Sequence, residues 1–153
     1  MLKRQLNVRL QKELAAIQRK PPCGGEVKVT LPGDSLNEWQ LLINGPLQSL
    51  YKGGKFKVSV FIPEDYPYSP PKVLFLTPIY HLNVSEGGQM CIRFLAEESW
   101  KATNSMEQLI SAIFALLITP QVESSVDHDR LNKYQNFRRT YDDLAKGSAE
   151  KAK

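Results

Sequence analysis

The chain has 153 residues, 42% of them hydrophobic and 24% charged, with a formal net charge of +4. This is the composition of one globular domain with a buried core, and it excludes a disordered chain. The mild basic excess makes no case for a nucleic-acid or membrane partner, and two cysteines with two histidines are too few for a disulfide framework or a structural zinc site. A reducing compartment, cytoplasm or nucleus, is therefore expected. The opening residues lack the continuous apolar run of a secretory leader, and the longest apolar stretch, 113–118, is far too short to span a bilayer.

Leu6, Leu10, Leu14 and Ile17 recur at helical spacing and predict an amphipathic first helix, which Pro21 and Pro22 stop. Strand signals follow at 26–31, at 38–43 around Trp39, and at 55–62. In the last of these, Phe56, Val58, Val60 and Ile62 alternate with Lys55, Lys57 and Ser59. Between the second and third strands lies the turn signal YKGG at 51–54. Residues 63–71, PEDYPYSPP, hold four prolines and predict a rigid, irregular loop at the sheet edge. A short apolar strand follows at 72–76. Residues 77–101 show no regular element, and a loop of that length inside a compact domain points to function. Ser105 and Gln108 read as a capping box that opens a deeply apolar helix ending before Pro120. A short helix is expected from Asp127 and a last amphipathic one over 136–145, with a polar tail to Lys153. Four strands joined by short turns predict an antiparallel meander, and helices gathered at the two ends of the chain predict an α+β fold.

The long loop gathers the residues that could carry chemistry. His81, Asn83 and Cys91 lie within eleven residues. Metal binding is a poor reading, because the close Cys or His pairs it needs are missing. Gly87 and Gly88 are not followed by the lysine and hydroxyl residue of a phosphate-binding loop. Residue types alone allow a cysteine hydrolase, with Cys91 as nucleophile, His81 or His128 as base and Asn83 as orienter. An acyl carrier needs less: a thiol that two large partners can reach in turn, a donor such as a carboxamide near the developing oxyanion, and no strong base beside the thiol.

From residue 2 to about 145 the chain resembles the ubiquitin-conjugating enzymes. The landmarks come in order: RLQKEL at 9–14, Pro21 and Pro22, Trp39, Gly45 and Pro46, YKGGKF at 51–56, PEDYPYSPPKV at 63–73, IYHLN at 79–83, Cys91, Leu95, Trp100 and the apolar helix ending at Pro120. IYHLN is similar to the family's His-Pro-Asn motif, and Cys91 stands eight residues after Asn83, the family's usual spacing. The resemblance implies a ubiquitin-conjugating fold over 1–148, with a four-stranded meander flanked by an N-terminal helix, a buried central helix and C-terminal helices, and a polar tail at 149–153. It also implies the chemistry. Cys91 would take ubiquitin, or a ubiquitin-like protein, from the activating enzyme as a thioester and pass it to a substrate lysine or to a ubiquitin ligase. Asn83 would stabilise the oxyanion or hold the loop beside the cysteine. His81 would be structural, and Ser124 would stand at the gate for the incoming lysine. Arg9, Lys12 and Tyr68 would face the activating enzyme and the ligase. ATP would be spent on the activating enzyme, so no cofactor is expected, and a monomer is the simpler expectation.

Against the family pattern, Leu82 replaces proline and should loosen the motif. Arg93 brings a positive charge close to the thiol where Asp, Asn or Ser is usual. Lys101, Ala102 and Thr103 stand where Ser-Pro-Ala is common among partners of RING-type ligases, and Gln121 follows Pro120 where Asn is usual. These departures keep two alternatives open: a carrier of another ubiquitin-like modifier, and a non-catalytic scaffold that only binds ubiquitin or a ligase.

Overall fold

A computed structural model describes residues 2–153, with the side chain of residue 2 left aside. Residue 1 of the expected 1–148 domain lies outside the described residues. The elements are α1 (Leu2–Arg19), β1 (Val27–Thr30), β2 (Glu38–Asn44), β3 (Lys55–Phe61), β4 (Lys72–Phe75), α2 (Met106–Ile118), α3 (His128–Asn136) and α4 (Arg138–Lys151). Short 3₁₀ turns occur at Cys23–Gly25, Arg93–Leu95 and Val122–Ser124.

The four strands pair in chain order and every pair is antiparallel, so the expected meander is present. Register aligns apolar rows across the sheet. Val29, Leu41, Val58 and Phe75 form one row, and Val27, Ile43 and Phe56 form another. Because side chains alternate along a strand, one face is apolar and the other carries Lys28, Lys57 and Lys72. The apolar rows join one continuous core with Leu6, Leu10 and Ile17 of α1, Met106, Leu109, Ile110, Ile113 and Leu117 of α2, and Tyr141, Ala145 and Ala149 of α4.

The capping box forms as read: the Ser105 hydroxyl accepts from the Gln108 amide, and Gln108 Oε1 accepts from the Ser105 amide, each at 3.2 Å. A second cap comes from α1. Glu13 accepts from the Met106 amide at 2.8 Å, from the Tyr66 hydroxyl at 2.9 Å and from Arg9 Nε at 3.2 Å. One carboxylate thus ties α1 to the proline-rich loop and to the start of α2.

The C-terminal end differs from expectation. Residues 149–151 are not a separate polar tail; they continue α4, which runs to Lys151. Ala149 is buried and approaches Gly54, where an added Cβ would lie 3.1 Å from the Ala149 Cα. The carbonyl of Ala152 accepts from the Lys55 amide at 2.9 Å, at the start of β3. Small side chains carry a weak hydrophobic signal in sequence, yet they are what lets the helix sit this close to the strand.

Candidate active site

Residues 76–105 have little regular structure but are not loose. The Phe75 amide donates to the Gly88 carbonyl at 2.8 Å, and the Met90 amide to the Val73 carbonyl at 3.3 Å. Isolated bridges pair Leu74 with Gln89 and Val84 with Met90. The loop therefore folds back along β4. Gly88 is required there: its φ is +92°, and a Cβ would fall 2.2 Å from the Phe75 carbonyl oxygen.

Cys91 leaves this pinned segment and is exposed, with a free thiol. Its own amide donates to the Asn83 carbonyl at 2.8 Å. The thiol-bearing residue and the carboxamide residue are thus joined by main chain.

Asn83 is fully buried. Its Nδ2 donates to the Gln121 carbonyl at 2.7 Å and to the Ser124 carbonyl at 2.8 Å, while its Oδ1 accepts from the Gln121 amide at 2.8 Å. Both amide hydrogens are therefore engaged in holding the loop to the segment after α2. Gln121 extends the connection, because its Oε1 accepts from the Arg93 amide at 3.0 Å. Arg93 in turn forms an ion pair with Glu123, both side chains more than half exposed.

His81 is also fully buried. Its Nδ1 accepts from the Asn83 amide at 2.9 Å, which places the ring proton on Nε2, 2.8 Å from the Leu116 carbonyl. Burial, reinforced by the nearby Arg130 charge, depresses its pKa to about 4, although the Leu116 carbonyl pulls the other way. The ring is neutral near pH 7 and both nitrogens are taken, so it is not placed to serve as the base of a cysteine hydrolase. The other histidine, His128, is exposed at the first turn of α3.

Leu82, expected to loosen the motif, is held instead. It is fully buried, its amide donates to the Tyr141 hydroxyl at 2.8 Å, and its carbonyl accepts from the Val126 amide at 3.1 Å. Proline has no amide hydrogen and could not make the first of these bonds.

Arg130 was not singled out in the sequence, yet it is the main charged group of the site floor. It is buried beneath the loop. Its guanidinium donates to the carbonyls of Val84 at 2.6 Å and His81 at 3.0 Å, and reaches Ile79 at 3.4 Å. Asp127 lies 3.6 Å from its Nε, and the Tyr80 ring packs 4.5 Å from the guanidinium carbon. The only local signal was Asp127 capping α3 three residues earlier, which any helix start would show. Gln121 stood out only as a departure from Pro-Asn, and Tyr141 only as part of an apolar helix face.

Ser124 is half-buried at the end of its 3₁₀ turn, with its carbonyl held by Asn83. The expected docking residues separate. Tyr68 is 76% exposed, and Lys12 is exposed on α1. Arg9 is committed internally, to Glu13, to the Asn104 carbonyl at 2.9 Å and to the Tyr66 ring. A cleft of about 1190 Å³ lies between α1, the β1–β2 connection and the proline-rich loop, with Tyr68 at its margin.

Comparison with known proteins gives a consistent picture. The family model described as ubiquitin-conjugating enzyme matches residues 9–149. Ubiquitin-conjugating enzyme E2 15 of Schizosaccharomyces pombe is 33% identical over 157 residues, which cover 92% of this chain and 93% of that protein.

Proposed function

The chain belongs to the ubiquitin-conjugating enzyme family, and from that premise we propose that Cys91 carries ubiquitin as a thioester. The thiolate of Cys91 attacks the carbonyl carbon of the activating enzyme's thioester. A new C–S bond forms, the old one breaks, and the activating enzyme's thiolate leaves. A neutral lysine amine then attacks the Cys91 thioester; the C–N bond forms, the C–S bond breaks, the amine proton passes to solvent, and the Cys91 thiolate is released. A ligase thiol in place of the amine gives a second transthioesterification.

The observation that carries this reading is the pairing of an exposed thiol with a buried, saturated support. Cys91 is open to large partners, while His81 is neutral, buried and fully bonded. A carrier needs its thioester to resist water, and a histidine committed to loop structure does not activate one. Asn83 acts by holding the loop, since both of its amide hydrogens are spent on main-chain carbonyls. Ser124 stands beside the path of the acceptor, and Lys12 and Tyr68 supply the docking face for the activating enzyme and the ligase. A reducing compartment, cytoplasm or nucleus, suits a protein that works through a free thiol.

The test mixes the purified chain with ubiquitin, activating enzyme and ATP. A band larger by one ubiquitin that disappears with reductant supports the carrier role. No such band, with the activating enzyme itself charged, rejects ubiquitin as the cargo. The same assay with other ubiquitin-like proteins then separates a different carrier from a binding scaffold.

A further inference from the structure

Leu82, at the position where the family pattern has proline, is tied to α4 through Tyr141. The Leu82 amide is a buried donor, and its partner is the Tyr141 hydroxyl at 2.8 Å. Tyr141 is itself fully buried. Its ring packs edge-on against Tyr80 and Tyr134, with centroids at 5.4 and 5.0 Å. The hydroxyl therefore sits in a fixed place, and the amide that meets it belongs to the residue just before Asn83. Asn83 then reaches Cys91 through a single main-chain bond of 2.8 Å.

We propose that Tyr141 is a positioning residue for the thioester chemistry, acting through the Leu82 amide to fix Asn83 and the segment that carries Cys91. This rests on the carrier reading of Cys91. A buried amide without an acceptor is costly, so the loop would shift to satisfy it elsewhere. Any such shift moves Asn83 off its bonds to Gln121 and Ser124. Transfer then proceeds only from the fraction of molecules that keep the original arrangement. The dependence is specific to this chain's Leu82, because a proline there would offer no hydrogen for Tyr141 to accept.

The test uses Tyr141→Phe, Leu82→Pro and the double variant in the full chain. Tyr141→Phe keeps the ring and its packing and removes only the hydroxyl. Each protein is loaded with modifier, and single-turnover transfer from Cys91 to free lysine is timed. Tyr141→Phe is expected to slow transfer roughly tenfold, the scale set by one orphaned buried donor. In the Leu82→Pro background, where that donor is gone, the same substitution is expected to change the rate less than about twofold. An equal slowing in both backgrounds would overturn the proposal in favour of a packing role, and so would an unchanged rate in Tyr141→Phe alone.

A second measurement needs no modifier and no proline variant. The side-chain NH₂ resonances of Asn83 are expected to move in Tyr141→Phe, and the Leu82 amide is expected to exchange faster. If both stay as in the parent, the proposal falls. If both move but neither protein ever forms a thioester, Tyr141 does position Asn83 and it is the carrier reading that fails.

Discussion

The two sides of the site are built differently. On the inner side, His81, Leu82, Asn83 and Arg130 are buried, and their polar atoms are matched to main-chain partners or to Tyr141. On the outer side, Cys91, Arg93 and Glu123 are exposed, and Arg93 and Glu123 form an ion pair in water. The inner side can set geometry because every lost bond leaves an unsatisfied group out of reach of solvent. The outer side can meet large partners because little is lost when its side chains rearrange. Precision and access are thus assigned to different residues of one short loop.

Four substitutions or conditions sharpen this contrast, taken from the strongest effect down. Cys91→Ala should abolish the reductant-sensitive adduct completely, yet leave the thermal midpoint within a degree or two by the ordinary tolerance of exposed positions, roughly ±0.5 kcal/mol. Loss of the fold in that variant would show that the thiol is not confined to the outer side. Arg130→Ala should lower stability by roughly 3 kcal/mol or more, because at least two buried carbonyls lose a charged donor. Denaturant titration reads this directly, and a change under 1 kcal/mol on the scale of exposed pairs would remove Arg130 from the inner side.

Acid should also act from within. His81 has a folded-state pKa of about 4, below its unfolded value of 6.5, so the unfolded chain takes up the proton first. The stability held by the neutral ring is complete above pH 6.5 and declines as pH falls toward 4, by up to about 3 kcal/mol. The denaturant midpoint at pH 7.5 and at pH 5 checks the loss, and the ring resonances of His81 should remain at their neutral positions at pH 5. A ring that titrates near its unfolded value would show that the floor admits water. Arg93→Ala should have the smallest effect, under about 1 kcal/mol, since both partners of its ion pair are exposed. A larger loss would move Arg93 to the inner side of the comparison.

Much of this was legible in sequence where the signal is local. The apolar spacing of Leu6, Leu10 and Ile17, the alternation of Phe56, Val58 and Val60, and the Ser105 to Gln108 box each depend on residues a few positions apart, and each formed as read. The meander followed from the lengths between strands. Asn83 and Cys91 stood out because their types and spacing matched a known motif. Their support did not, because its partners are main-chain atoms far along the chain. Arg130 grips carbonyls 46 to 51 residues away, and Asn83 grips carbonyls 38 and 41 residues away. A carbonyl belongs to every residue, so no residue type marks the ones that will be gripped. Arg9 shows the same limit: its bonds to Glu13, one turn later, and to the Asn104 carbonyl, across the core, are not marked by its place on an amphipathic helix.

The reliance on main-chain atoms has a bearing on how freely this loop can vary. A support that holds carbonyls and amides does not read the side chains attached to them. Ile79, Val84, Gln121 and Ser124 contribute main-chain oxygens, and exchanging their side chains would leave those contacts in place wherever the new group fits. The loop can therefore diverge in sequence while keeping its shape, and its family resemblance can fade faster than its architecture. The intolerant position is one where a substitution meets the main chain itself: any Cβ at Gly88 collides with the strand beside it.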